Sequence, residues 1–517
     1  MLNLAAVLES TVAEHPDRDA VVLGDDRLTY AELDAAARRV AASLAARGIG
    51  RGDRVALACP NLPAFPVVYF GILMAGATVV PLSVLLTEPE IVYHLRHSAS
   101  RALFCFEGSG PSPLGEAGRA AAAAVPGCDL FVPLTTEPPA ALAASLSPHD
   151  AGFDTVRTHE DDIAVVLYTS GITGRPKGAQ LTHSNMVLNA LVCTRLFQAA
   201  AHDRHLVALP LFHAFGQTVH LNAGFAAGAT LHLLARFEPS AALTTMRSAG
   251  ITFFAGVPTM YWALLHQYDA TSDGSQDVGR IADMLRISVC GGAPMPVELL
   301  RAFEGRFGVA VLEGYGLSET SPVSTFNRLD RPRRAGSIGL PVWGVEVRIV
   351  RADGTVVAGE DETGELQVRG HNVMCAYLND PAATARAIDP HGWLRTGDIG
   401  RRDADGYLYL VDRLGDMIIR GGFNVYPREV EETLLTHPGV SLAAVVGMPD
   451  ERHGQEVKAF IVRSPGATDT AEDIVAWCRQ TMAGHKYPRL VEFRDAFPMT
   501  AAGKILKRAL LAPPAGE

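Results

Sequence analysis

From Val55 to Thr87 the chain carries no charged side chain. A run of that length either crosses a bilayer or is buried wholly inside a protein. Pro60, Pro63, Pro66 and Pro81, with Gly71 and Gly76 among them, argue against one spanning helix, because each proline removes a backbone donor. The pattern predicts a buried helix from about Pro63 to near Gly76, then a short strand Ala77–Val80. No stable membrane insertion is expected. With 48% hydrophobic and 20% charged residues, the chain is neither disordered nor fibrous. Its 517 residues suggest about three folding units of roughly 150 residues.

Short apolar runs bounded by Gly or Pro alternate with helical patterns. Asp19–Leu23, Val55–Ala58, Val207–Leu209, Thr230–Leu234, Phe253–Val257 and Ile287–Cys290 read as strands. Thr29–Arg47 reads as a helix capped by Thr29, with Glu32 three residues on and Gly48 at its end. Ala241–Ser248 and Val297–Arg306 are helical too. This alternation points to an α/β architecture with largely parallel sheets. Residues 108–150, rich in Ala, Pro, Ser and Gly, read as a helix plus a surface loop. After about residue 335 the texture becomes β-rich: Val345–Val350 and Glu365–Arg369 alternate like antiparallel strands, with turns at Asp353-Gly354 and Thr363-Gly364. The last hundred residues carry signals of their own at Val430–Leu435, Leu442–Val446, Val457–Val462 and Ala471–Met482, consistent with a small domain starting near Asp412.

The net charge of −11 gives no bulk attraction to nucleic-acid backbones, so no nucleic acid is expected as a partner. The seven cysteines, at 59, 105, 128, 193, 290, 375 and 478, include no C-x-x-C pair. They read as reduced thiols of a cytoplasmic protein, without a zinc site. The N-terminal residues lack the basic lead and apolar stretch of a signal peptide.

Four segments carry chemistry. The first is Tyr168-Thr-Ser-Gly-Ile-Thr-Gly-Arg-Pro-Lys-Gly178, after the apolar strand Ile163–Leu167. Glycines let backbone N–H groups approach phosphate oxygens, hydroxyls donate, and Lys177 adds a point charge. The glycines are too close together for a Walker A loop, and no hydroxyl residue follows the lysine. The second is Gly314-Tyr-Gly-Leu-Ser-Glu-Thr-Ser-Pro322, where Tyr315 offers a stacking face and Glu319 a hard oxygen ligand for Mg²⁺. The third joins Arg395-Thr-Gly-Asp398 to Tyr407–Arg413, a carboxylate and a guanidinium able to hold ribose hydroxyls. The fourth is Met499-Thr-Ala-Ala-Gly-Lys-Ile-Leu-Lys507, which places Lys504 after a flexible glycine. Taken singly, the last three also fit ordinary surface loops. No G-x-G-x-x-G fingerprint occurs, which disfavours a simple dinucleotide-binding oxidoreductase.

In this order, and from about residue 10 to 511, the segments resemble the adenylate-forming superfamily. That group holds acyl-CoA synthetases, firefly luciferase and the adenylation domains of peptide synthetases; the closest likeness is to bacterial fatty-acid–CoA ligases. The resemblance implies a large N-terminal domain, residues 1–412, of layered sheets flanked by helices plus a β-rich subdomain. It implies a small mobile α+β domain, residues 413–517, rotating about a hinge near 412–416. The implied cofactors are ATP, Mg²⁺ and CoA. Thr169, Ser170, Gly171, Thr173, Gly174 and Lys177 would hold the β- and γ-phosphates. Gly291, Gly292, Ala293 and Tyr315 would frame the adenine, Glu319 would bind Mg²⁺, and Thr320 would meet the α-phosphate region. Asp398 and Arg413 would hold the ribose, and Lys504 would be the catalytic lysine of adenylation. His213, in Pro210-Leu-Phe-His-Ala-Phe-Gly216, would lie near the acyl carboxylate. Gly421 and Gly422 would face the thiol substrate, with Lys486 assisting.

The chain departs from the family pattern at Ile172, where a Thr is usual, at Gly415 in the hinge, and at Met499, where a Lys is common. The pocket segments near Phe212–Gly216, Phe254–Met260, Cys290–Ala293, Gly314–Leu317 and Pro322-Val323 are mostly apolar. They place no cation for a second carboxylate, which favours a fatty or aromatic monocarboxylic acid. The expected function is an ATP-dependent ligase that joins such a small-molecule acid to CoA through acyl-AMP, releasing AMP and pyrophosphate. Alternatives are a carrier protein or an amine as acceptor, an unusual acid such as an inorganic oxyacid, or an inactive nucleotide-binding regulator. Oligomeric state is open at this point.

Overall fold

The computed structural model describes residues 2–108, 114–137, 152–169, 175–271, 281–357, 359–413, 415–421 and 423–511, the side chains of 269–271 excepted. The uncharged stretch is largely buried as far as Leu82, whereas Leu85 near its end is exposed. Ala64–Met74 is a helix whose residues are all buried, and the strand Thr78–Pro81 follows. Among the described residues no helix is long and apolar enough to cross a membrane. A helix apolar on every side must be covered on every side. Here the helix Tyr30–Ala46 packs so close that a Cβ on Gly71 would sit 2.6 Å from Val40 Cβ and 2.8 Å from the Ala37 carbonyl. That second helix is closed by the expected capping box between Thr29 and Glu32.

Two large sheets flank these helices. One runs, in spatial order, Ala376–Tyr377, Lys177–Thr182, Ile163–Thr169, Thr78–Pro81, Arg54–Ala58, Ser100–Phe106 and Leu130–Leu134. The other runs Leu340–Pro341, Val323–Phe326, Val311–Gly316, Ile287–Cys290, Phe253–Gly256, Arg204–Val207, Thr230–Leu233, Asp19–Leu23 and Asp26–Thr29. The interior strands pair in parallel; antiparallel strands close three of the four edges, and Leu130–Leu134 closes the fourth in parallel. One apolar core takes side chains from both sheets and both helices. The β-rich region forms a four-stranded antiparallel sheet of Val345–Val350, Gly364–Gly370, Leu394–Arg402 and Leu408–Arg413. The last part folds as a separate small unit around the long hairpin Val440–Asp450/Gly454–Arg463, covered by the helices Pro427–Leu434 and Ala471–Thr481 and holding its own core.

Two expectations are corrected. The strand expected at Val207–Leu209 lies at Arg204–Val207. Its register is set by parallel partners, His205 against Phe253 and Arg204 against Thr230, rather than by the most apolar residues. Within the segment expected to be helix and loop, the helix Leu114–Ala123 is joined by a strand, Leu130–Leu134. Its Pro133 hid it, yet a proline is tolerated at a sheet edge, which is where this strand lies.

Candidate active site

In an open α/β sheet, ligands bind beyond the carboxyl ends of the strands. Phe253–Gly256, Ile287–Cys290, Val311–Gly316 and Ile163–Thr169 all end on the same region. Gly291 and Gly292 follow the second of these. A Cβ on Gly291 would lie 3.2 Å from the Phe215 ring, and one on Gly292, at φ +78°, would lie 3.6 Å from Lys504 Cε. The lysine near the carboxyl end therefore lies against the glycine turn of the large unit, beside Ala293. Gly314 is enforced by packing: a Cβ there would fall 2.0 Å from the Phe326 ring.

A short local fold presents Lys504. Thr500 N–H donates to the Lys504 carbonyl at 2.8 Å, and Lys504 N–H donates to Thr500 Oγ1 at 3.1 Å. Gly503, at φ +77°, makes the turn. Burial and the nearby Arg413 bring the Lys504 ammonium down to about 8, against an opposing pull from Asp398. Burial, with Lys504 adding to it, holds the His213 imidazole near 4. That ring is neutral at pH 7 and adds no second positive charge beside Lys504.

Asp398 is 2% exposed. The Tyr315 hydroxyl donates to its Oδ2 at 2.6 Å, and Arg413 Nε donates to Oδ1 at 3.1 Å from the facing register position. Burial raises its carboxyl above the ordinary range, while Arg413 and the Tyr315 hydroxyl oppose this. Each carboxylate oxygen retains a lone pair for a further donor. Tyr315, expected on the adenine, is thus tied to the carboxylate expected on the ribose.

A second cluster surrounds Glu319. Its Oε1 accepts from Thr169 Oγ1 at 3.1 Å and from the Tyr377 hydroxyl at 2.9 Å. Lys177 Nζ lies over the Tyr377 ring, 5.1 Å from its centroid. Tyr377 escaped sequence reasoning: nothing in Cys375-Ala-Tyr377 marks it, and only pairing of Ala376–Tyr377 with Lys177–Thr182 brings it here. The flanks of the phosphate-loop segment are anchored. Tyr93 donates to the Pro176 carbonyl at 2.7 Å, and the Tyr168 hydroxyl meets His97 Nδ1 at 2.8 Å. Ser170, Gly171, Ile172, Thr173 and Gly174 lie outside the described residues, as does Gly422.

Thr320, expected at the α-phosphate region, has its hydroxyl engaged by its own turn. Fully buried, its hydroxyl donates to the Pro322 carbonyl at 2.6 Å and accepts from Leu317 N–H at 2.9 Å. The side chain shapes the turn that presents Glu319 and has no donor left for a phosphate. Lys486 is engaged by Glu429 at 2.6 Å. Gly421, at φ +57°, donates to the His453 carbonyl at 2.8 Å; both residues lie on the small unit, away from the cluster just described. A cavity of about 340 Å³ lined by Arg51, Arg54, Asp161 and Gln180 lies at the opposite ends of the strands and shares none of these residues.

The family model described as AMP-binding enzyme matches residues 8–378, and the AMP-binding enzyme C-terminal domain matches residues 429–504. The chain belongs to the AMP-binding enzyme family. It is 39% identical over 495 residues to a feruloyl-CoA synthase of Amycolatopsis sp, covering 95% of each chain. It is 34% identical to a long-chain-fatty-acid–CoA ligase of Bacillus subtilis (strain 168), covering 98% of this chain and 94% of the other. The crystal structure of ATP-bound MatB from Rhodopseudomonas palustris superposes with a TM-score of 0.88 at 31% identity, covering 99% of this chain and 98% of that one. The AMP-binding fold accounts for the large N-terminal and small C-terminal units, and the protein is an AMP-forming ligase of the acyl-CoA-synthetase kind.

Proposed function

We propose that this enzyme activates an apolar monocarboxylic acid, fatty or aromatic, as acyl-AMP and passes the acyl group to CoA. The observation that carries this reading is Lys504 lying against Gly292 within the fields of Asp398 and Arg413. In the first step an acid oxygen forms a bond to the α-phosphorus of ATP as the bond to pyrophosphate breaks. Carboxylate and triphosphate repel, and a preorganised ammonium in an enclosed site offsets that repulsion. Asp398, steadied by Tyr315 and Arg413, accepts from the ribose hydroxyls. Lys177 and Thr169 meet the terminal phosphates. The Glu319 carboxylate, between two hydroxyls at the mouth of the phosphate loop, fits Mg²⁺, a hard cation that takes oxygen ligands. When bound, Mg²⁺ would neutralise phosphate charge.

The acid side is apolar. Phe215, Val257, Met260, Cys290 and Val323 belong to one buried cluster, which supports an acid without a second charge. Free thiols at all seven cysteines suit a cytoplasmic enzyme. This reading takes residue 412 as the unit boundary; there Asp412 Oδ1 accepts from Arg413 N–H at 2.7 Å and Oδ2 from Arg428 N–H at 3.1 Å. Rotation there would withdraw Lys504 and bring the Gly421 face to the acyl-adenylate for attack by the CoA thiol. The test is pyrophosphate exchange across a panel of acids, then AMP release on adding CoA. Exchange with an apolar acid and CoA-dependent AMP release are expected. ADP as product would overturn the reading.

A further inference from the structure

Besides the hinge and the contact of Lys504 with Gly292, the helix Pro258–Thr271 of the large unit also receives the small unit. Thr259 Oγ1 donates to the Gly503 carbonyl at 2.7 Å. One turn on, Trp262 Nε1 donates to Ser441 Oγ at 3.0 Å. The acceptors differ in kind: Gly503 immediately precedes Lys504, whereas Ser441 lies near the start of the central hairpin of the small unit. Residues three apart on a helix share a face, so one face grips both the lysine turn and the body that carries it. The grip is tight at Gly503, where a Cβ would fall 2.9 Å from Val257 Cγ2 and 3.3 Å from Thr259 Oγ1. Trp262 is held in turn by His266, with ring centroids 4.0 Å apart and His266 Nδ1 at 3.0 Å from the Trp262 carbonyl.

We propose that Thr259 and Trp262 are positioning residues that select the lysine-in arrangement, and so promote adenylation without contributing to thioester formation. Both hydrogen bonds must break if the small unit rotates, so they bias the population of one arrangement over the other. The proposal rests on the two-step reading above.

The two half-reactions are measured separately for Thr259→Val, Trp262→Phe and Ser441→Ala, using the acid that gives the fastest wild-type exchange in a panel that includes ferulate and decanoate. Each variant is expected to lower pyrophosphate exchange by about two- to tenfold, the loss of one hydrogen bond. CoA-dependent AMP release from supplied synthetic acyl-adenylate should stay at the wild-type rate or rise. Trp262→Phe combined with Ser441→Ala should lower exchange no further than either alone, since the two share one contact. Unchanged exchange, or equal losses in both half-reactions, overturns the dock. A wild-type enzyme that shows no exchange with any acid overturns the two-step reading instead.

Discussion

The large and small units secure their polar groups in opposite ways. In the large unit Asp398 is fixed by Tyr315, and by Arg413 at the unit boundary, and Glu319 is fixed by Thr169 and Tyr377. Those groups sit on strands and turns of one framework, and close packing at Gly314 leaves no slack. Lys504 instead stands on the five-residue turn Thr500–Lys504, anchored within the small unit by the half-buried pair of Lys507 with Glu431 at 2.6 Å. It reaches the site only because the units are docked. A nucleotide cradle must be present before chemistry begins and gains from rigidity. A group needed in only one step gains from being removable. On the proposed reading, the difference separates binding residues from the residue that acts on the transition state.

Lys504→Ala breaks this contrast most sharply. Adenylation should fall by about 10²–10³-fold, in line with loss of one preorganised transition-state contact, while thioester formation from supplied acyl-adenylate is retained. Equal loss of both steps, read by pyrophosphate exchange and AMP release, would place the lysine in the common framework. Asp398→Asn tests the cradle. Losing a charged acceptor of hydrogen bonds typically costs about 1.5–3 kcal/mol, so KM for ATP should rise by roughly ten- to hundredfold, with Arg413 left unpaired. A change confined to kcat would contradict a binding role.

The pH profile sharpens the comparison further. Lys504 loses its proton near pH 8 in the free enzyme, and the proposed first step needs the charged form. The value of kcat/KM for adenylation should be level below that pH and fall about tenfold per unit above it. His213, neutral above about pH 4, adds no limb between pH 5 and 8. A profile flat to pH 10 would exclude titration of Lys504. Tyr377→Phe should have the smallest effect, a rise of about two- to tenfold in KM for MgATP for one lost hydrogen bond. An unchanged KM would show that Glu319 needs no orienting hydroxyl.

Much of the framework was legible in the chain. The uncharged run with its prolines marked a buried helix and strand, and Thr29 with Glu32 marked a helix start, because these signals are local. The strand Leu130–Leu134 was hidden by Pro133, and Arg204–Val207 by its polar first residues, because pairing partners far along the chain decide both. Within the site, motif residues named the chemistry, but the hydroxyl of Thr320 went to its own turn, and Tyr377 carried no local mark at all.

The sequence by itself determined which side chains were available, the periodicity of the elements that carry them, and the glycines their turns require, since each follows from covalent geometry and burial of apolar surface. Only the tertiary structure decided that Tyr377 meets Glu319, that Tyr315 steadies Asp398, and that Thr259 and Trp262 receive the small unit. Those contacts join residues 58 to 244 positions apart, and no local preference encodes a meeting that depends on how whole sheets and units pack.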